Sequence, residues 1–170
     1  MMDSLILNNT SPSELNSHDH GSCIAKAIRV AEQLCTDREV RLTPLRRKVL
    51  ELIWESHRAV KAYDLLDRIK PLEQSAKPAT VYRALDFLIE QGLIHRVESL
   101  NAFIGCVCSD HQHELMLLIC NRCLEVEERP ALEVMEAVAK EISQAEFSVY
   151  RKSIEIHGLC AQCAFLGRDG

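Results

Sequence analysis

The chain has 170 residues, of which 47% are hydrophobic and 26% charged, and its net charge is −5. That balance belongs to a globular protein of one domain or two small ones, and it excludes a uniformly basic nucleic-acid binder. No apolar run approaches the roughly 20 residues of a membrane-spanning helix, and the opening residues lack the basic and long apolar segments of a secretory signal. A cytoplasmic protein is therefore expected, with no membrane partner, whose eight cysteines hold metal rather than disulfides. The charge is unevenly spread. Between Cys23 and Glu98, Lys and Arg outnumber Asp and Glu, whereas acids dominate on either side. A mildly basic segment followed by an acidic one fits a polyanion-binding part joined to another part.

Residues 1–22 are polar and read as a disordered leader. From Cys23 to Arg38, the residues Ile24, Ala27, Ile28, Ala31, Leu34 and Cys35 fall on one stripe at helical spacing. Thr43 and Pro44 open a second helix, because threonine caps an N-terminus and proline suits the first turn. A third short helix runs from about Ala62 to Ile69, before Pro71. A fourth starts at Pro78 and stops before Gly92, with Val81, Leu85, Leu88 and Ile89 inward. Residues 93–98 and 101–107 alternate loosely around a turn and predict a hairpin. Helices followed by a small hairpin make a winged helix, whose last helix would enter a major groove.

The second half predicts a short buried strand over Glu114–Ile119, a Cys120–Cys123 knuckle and a strand from Leu124 to Glu128. A helix opened by Pro130 follows, then a strand over Phe147–Ile156 and a Cys160–Cys163 knuckle. The expected fold class is α+β: an N-terminal winged-helix domain over residues 23–99, a hinge over 100–107, and a small α/β dimerisation and metal-binding domain over 108–170. So small a second unit calls for a partner copy to cover its sheet, and a twofold dimer would present two winged helices to a palindromic site.

Two Cys-x-x-Cys pairs, Cys120/Cys123 and Cys160/Cys163, offer the four thiolates of a structural zinc site. Disulfides or buried unliganded thiols are the bland alternatives. Close by in sequence stands a mixed set: His95, Cys106, Cys108, His111 and His113, with Glu125, Glu127 and Glu128 downstream. One thiolate with imidazoles and a carboxylate suits zinc but holds it less permanently than four thiolates. A permanent site beside a conditional one is the arrangement of a sensor. On the winged helix, Arg83 stands off the buried stripe, where it could bond a guanine edge, as Thr80 also does. Tyr63 could reach a base methyl or phosphate, and Arg41, Arg46, Arg47 and Lys77 could hold phosphates.

These motifs resemble the ferric uptake regulator family. The matching stretches are Arg41-Leu-Thr-Pro-Leu-Arg46, Lys77-Pro-Ala-Thr-Val-Tyr-Arg-Ala-Leu-Asp-Phe-Leu88, the His111-x-His113 before the first knuckle, and His157-Gly-Leu-Cys-Ala-Gln-Cys163. Within the family, the chain is most similar to the zinc-sensing branch. The resemblance implies a homodimeric, zinc-responsive repressor that binds palindromic AT-rich operator DNA when loaded and shuts off zinc uptake genes. It implies two zinc ions per chain: one structural on Cys120, Cys123, Cys160 and Cys163, and one regulatory on His95, Cys106, His113 and Glu128. Tyr63 and Arg83 match base-contacting positions. Iron-sensing relatives carry a further His/Asp/Glu site; two of its positions are here Met135 and Lys152. Together with the soft ligand Cys106, this favours zinc over iron or manganese. The competing classes are a zinc-ribbon interaction module and a zinc enzyme. Against a nucleobase deaminase, Ile119 rather than proline precedes Cys120, and no His-x-Glu triplet lies near the knuckle. No small-molecule substrate is expected.

Overall fold

The structure is a computed structural model and describes residues 20–56, 58–72, 77–107, 114–145 and 147–166. Helix α1 (His20–Asp37) begins earlier than its apolar stripe predicts. Helix α2 (Pro44–Trp54) starts where expected: the Thr43 hydroxyl accepts the Arg46 N–H and Pro44 fills the first turn. A two-residue strand β1 (Val60–Lys61) leads directly into α3 (Ala62–Ile69). Helix α4 (Pro78–Glu90) stops before Gly92, whose φ of 69° lies in the left-handed region that glycine enters without a Cβ penalty. The wing follows as β2 (Ile94–Val97) and β3 (Ala102–Gly105), and β1 completes a sheet of order β1-β3-β2. Strand β1 is too short to carry a periodic signal and was not foreseen in the sequence.

One apolar core binds these helices. It contains Ile28, Ala31, Leu50, Ile53, Leu65, Ile69, Val81, Leu85 and Leu88, continued by Ile94 and Phe103 of the wing. Burying each large side chain contributes roughly 1.5–3 kcal/mol relative to exposure. The surface of α4 is divided accordingly: Val81, Ala84, Leu85, Phe87 and Leu88 are buried, while Thr80, Tyr82, Arg83 and Asp86 are exposed.

The second unit is a three-stranded sheet of order β5-β4-β6, formed by β4 (Leu115–Cys120), β5 (Val126–Pro130) and β6 (Glu155–Gly158). Strands β4 and β5 are antiparallel, while β4 and β6 are parallel. Helix α5 (Leu132–Gln144) forms the β5–β6 crossover and α6 (Ala161–Phe165) closes the second knuckle. Two expectations are corrected. Pro130 does not open the helix; it ends β5 opposite Leu115, where a residue without an N–H is tolerated at a strand terminus. The alternation over Phe147–Ile156 forms no ten-residue strand: the β6 ladder begins at Glu155, and Phe147 and Tyr150 lie exposed.

The two sheets meet across a second apolar cluster. Val97 and Ile104 of the wing pack with Leu117, Ile119 and Val126 of the second sheet. An isolated antiparallel bridge between Arg58 and Glu125 spans the same junction. The described residues contain no helix long and apolar enough to cross a membrane.

Candidate metal centre

The knuckles are brought together by the parallel pairing of β6 with β4, which sets Cys120 opposite Gly158. Cys120 and Cys123 sit on the turn from β4 to β5, which the Cys120 N–H closes by donating to the Glu125 carbonyl at 3.0 Å. Cys160 is the N-cap of α6 and Cys163 lies on its inner side. Three bonds tie one knuckle to the other. The Asn121 N–H donates to the Gly158 carbonyl at 2.8 Å, Arg122 donates to the Cys163 carbonyl at 3.1 Å, and His157 Nδ1 lies 3.0 Å from Asn121 Oδ1.

All four sulfurs lie within 4.8 Å of one another, and all four are free thiols. A tetrahedral zinc with Zn–S bonds of about 2.3 Å separates its sulfurs by about 3.8 Å. Cys123 Sγ and Cys160 Sγ stand 3.8 Å apart. Both the donor set and its spacing therefore fit zinc. The thiols are unequal. Backbone N–H groups of Cys123 and Cys160 hold the Cys120 thiol down at about 6. Burial, followed by the crowding of Cys160 and the other thiols, pushes Cys163 up to about 12. Burial also raises Cys123. Metal uptake here must expel protons, so affinity falls as pH falls.

The second cluster joins three separate elements. His95 is on β2, Cys106 follows β3, and Glu128 is on β5; one ligand atom from each lies within 4.8 Å of the others. His95 Nε2 stands 3.6 Å from Glu128 Oε1, close to the roughly 3.4 Å between adjacent nitrogen and oxygen ligands of a tetrahedral zinc. The other carboxylate oxygen accepts the Val107 N–H at 3.2 Å, which fixes the side-chain rotamer from behind. Strand alternation separates the two neighbouring acids. The Glu128 side chain is 6% exposed and faces the cluster, whereas Glu127 is 62% exposed and pairs with Arg129. Glu125 lies beside Cys123 instead. His113, His111 and Cys108 lie outside the described residues.

Trp54 was not foreseen at this site. The chain's single tryptophan packs its indole against Gly105, where an added Cβ would run into the ring. Trp54, Val107 and Glu128 line one small cavity there. Nothing in the spacing of residues 54 and 105 signals this contact, which follows from α2 packing against β3.

Of the candidate nucleic-acid residues, Lys77, Thr80 and Arg83 lie exposed on or just before α4, Tyr63 is exposed on α3, and Arg41 is exposed before α2. Tyr82, 51% exposed beside Arg83, joins that face. Its signal was an aromatic placed off the buried stripe. Arg46 is differently employed: its guanidinium lies 3.5 Å over the Phe87 ring and donates to the Arg41 carbonyl at 2.6 Å. Arg47 is engaged by Glu32 and Glu51. Met135 is buried and Lys152 is paired with Glu114 at 3.0 Å, so neither is placed as a metal ligand.

A winged helix joined through a donor cluster to a sheet with a four-cysteine site defines a winged-helix protein with a metal-binding α/β domain. The ferric uptake regulator family model matches residues 37–157, and the chain belongs to that family. It is 46% identical to the zinc uptake regulation protein of Escherichia coli (strain K12) over 134 residues, 78% of each chain. The peroxide operon regulator of Bacillus subtilis (strain 168) is more distant, at 27% over 144 residues, 82% of this chain and 95% of that one. A solved zinc uptake regulator complexed with zinc and DNA superposes with a TM-score of 0.79 at 40% identity, covering 89% of this chain and 99% of that one. The holo form of XcZur gives 0.76 at 40% identity, covering 82% and 98%.

Proposed function

We propose that the chain is a cytoplasmic, zinc-responsive transcriptional repressor that binds palindromic operator DNA as a zinc-loaded homodimer and represses zinc uptake genes. The observation that carries this reading is the convergence of His95, Cys106 and Glu128, one from the wing, one from the following link and one from the second sheet. The similarity to zinc uptake regulators supports it in turn. Two zinc ions per chain are proposed. Cys120, Cys123, Cys160 and Cys163 hold the structural ion; His95, Cys106 and Glu128 hold the regulatory one, with His113 as fourth ligand. When bound, zinc supplies a cross-link among side chains that otherwise belong to separate elements.

The protein's own groups do the rest. His95 commits the wing, Cys106 the link that follows β3, and Glu128 the second sheet. The Val107 N–H donates to one oxygen of the Glu128 carboxylate and leaves the other toward His95. The closed arrangement sets the separation of the two α4 helices in the dimer. Arg83, Thr80, Tyr82 and Tyr63 then meet base edges, and Lys77 and Arg41 meet phosphates. Exposed Phe147, Tyr150 and Leu132 on the second unit support a partner subunit that covers them.

The test is a gel shift on a palindromic AT-rich duplex, with zinc and with a chelator, alongside zinc counting per chain. Zinc-dependent retention, with stoichiometry falling from two to one on mild chelation, is expected. Equal binding in both conditions would refute the repressor reading. No retention in either condition would leave an interaction module in its place.

A further inference from the structure

The clusters described above account for the metal ligands, but not for how the wing turn is held. The turn joining β2 to β3 lies against β6. Both oxygens of the Glu155 carboxylate are engaged there, Oε1 accepting the Glu98 N–H at 2.6 Å and Oε2 the Ser99 N–H at 3.0 Å. Arg151 reaches the Glu98 carboxylate from the same side at 2.6 Å, and Arg96 reaches it from the wing at 3.1 Å. Beneath this polar clasp lies the apolar junction of Val97 and Ile104 with Leu117, Ile119 and Val126. Glu155 sits opposite Leu117 in the parallel β4–β6 ladder, so its position is fixed by the sheet that carries Glu128. One rigid sheet thus grips the wing at two places: at its turn through Glu155, and near its other end through Glu128 and His95.

We propose that Glu155 is a positioning residue for closure. By holding the two amides of the wing turn, it docks the DNA-binding unit on the second sheet independently of metal, so that the regulatory ligands are already gathered when zinc arrives. Its coupling to operator binding rests on the repressor reading; the clasp itself does not. Charge-assisted hydrogen bonds to backbone N–H groups are among the stronger protein contacts, and a carboxylate offers two acceptors where a neutral amide offers one. Removing the clasp lowers the population of the closed state. The apparent affinity of any ligand selecting that state falls by the same fraction.

The experiment compares wild type with Glu155→Ala, Glu155→Gln and Arg151→Ala, all as full-length protein. Amide exchange at Glu98 and Ser99 reads the clasp directly. Both amides are expected to lose protection in Glu155→Ala, and one of them in Glu155→Gln. Competition with a chromophoric chelator reads the regulatory site, whose zinc affinity is expected to fall about tenfold in Glu155→Ala and less in the other two variants. The four-cysteine zinc and the thermal midpoint should hold, which a merely structural role would not permit. Unchanged exchange at Glu98 and Ser99, or unchanged zinc affinity at the second site, overturns the proposal. So does loss of the four-cysteine zinc in Glu155→Gln. Wild-type protein that binds operator without regard to zinc would refute the repressor reading alone, and the exchange data would still decide the clasp.

Discussion

Cys106 is the one soft donor among the described residues of the cluster with His95 and Glu128, and it sits where the chain leaves the wing. Cys106→Ser should leave the core and the four-cysteine site intact while removing zinc-dependent retention of the operator. Circular dichroism and a gel shift on the same preparation check both halves. Its neighbour allows a second prediction. Gly105→Ala places a methyl group where the Trp54 indole lies, so the ring must move or the strand must shift. Overpacking of this kind costs about 1–3 kcal/mol. A lowered melting temperature and an altered tryptophan emission are expected, and since Trp54 is the only tryptophan the emission has one source. The two positions also differ in how far they could be read in advance. Cysteine spacing announces a metal chemistry in the sequence itself, and period-two alternation separates Glu128 from Glu127. Gly105 and Glu155 carry no such pattern, because their roles come from an indole and a turn brought to them by the fold.

At the scale of the elements, the helices were legible because capping and periodicity are local. Thr43-Pro44, Pro78 and Gly92 mark boundaries that the structure keeps to within a residue or two. Strands in the second unit were less so: Phe147 to Ile156 alternates, but alternation says nothing of whether a partner strand is within reach, and among the described residues of that stretch the ladder with β4 begins at Glu155. The α2–α4 contact shows what packing adds. Arg46 is held between the Phe87 ring and the Arg41 carbonyl, so it fixes the loop carrying Arg41 against α4. Arg46→Met should weaken operator binding several-fold by loosening that loop, with the fold retained. Arg46→Lys, which keeps charge but loses the planar stack, should not restore it fully. Binding isotherms at fixed salt distinguish the two variants. Cys120→Ser acts on a whole element instead. Structural zinc sites supply roughly 10–16 kcal/mol of apparent binding energy in small domains. Loss of one thiolate is therefore expected to dissociate the dimer and unfold the second unit, as read by size-exclusion chromatography.

For the whole molecule, the junction between the two sheets is where local chemistry becomes a change in affinity. The junction contains an apolar cluster and the Glu155 clasp, and in the proposed function a metal would complete the donor set of His95, Cys106 and Glu128. Each contributes to one equilibrium, so any ligand selecting the closed form assists every other. With a coupling of about 3 kcal/mol, zinc would change operator affinity roughly 150-fold, and operator would change zinc affinity by the same factor. Acid bears on the same equilibrium through Glu155. Partial burial alone would raise its carboxyl, but the Ser99 hydroxyl and the backbone N–H groups of Ser99 and Glu98 outweigh burial and hold it below the ordinary range. The charged group acting on it directly is His157, on its own strand, while the nearby Arg151 and Arg96 pair with the Glu98 carboxylate. A carboxyl lowered on folding stabilises the folded, closed form fully above its unfolded pKa, and that contribution is lost as pH falls through the lowered, folded value. The clasp therefore outlasts the pH at which an ordinary glutamate protonates. The charge of His157 beside the carboxylate acts in the same direction. A carbon-13 titration of the Glu155 carboxyl should accordingly show a midpoint below that of the exposed glutamates, with Glu98 and Ser99 amide protection lost at the same pH. Replacing His157 by Gln should move both midpoints upward together. If protection instead vanishes at the ordinary carboxylate midpoint, the wing turn is held by its apolar underside and not by Glu155.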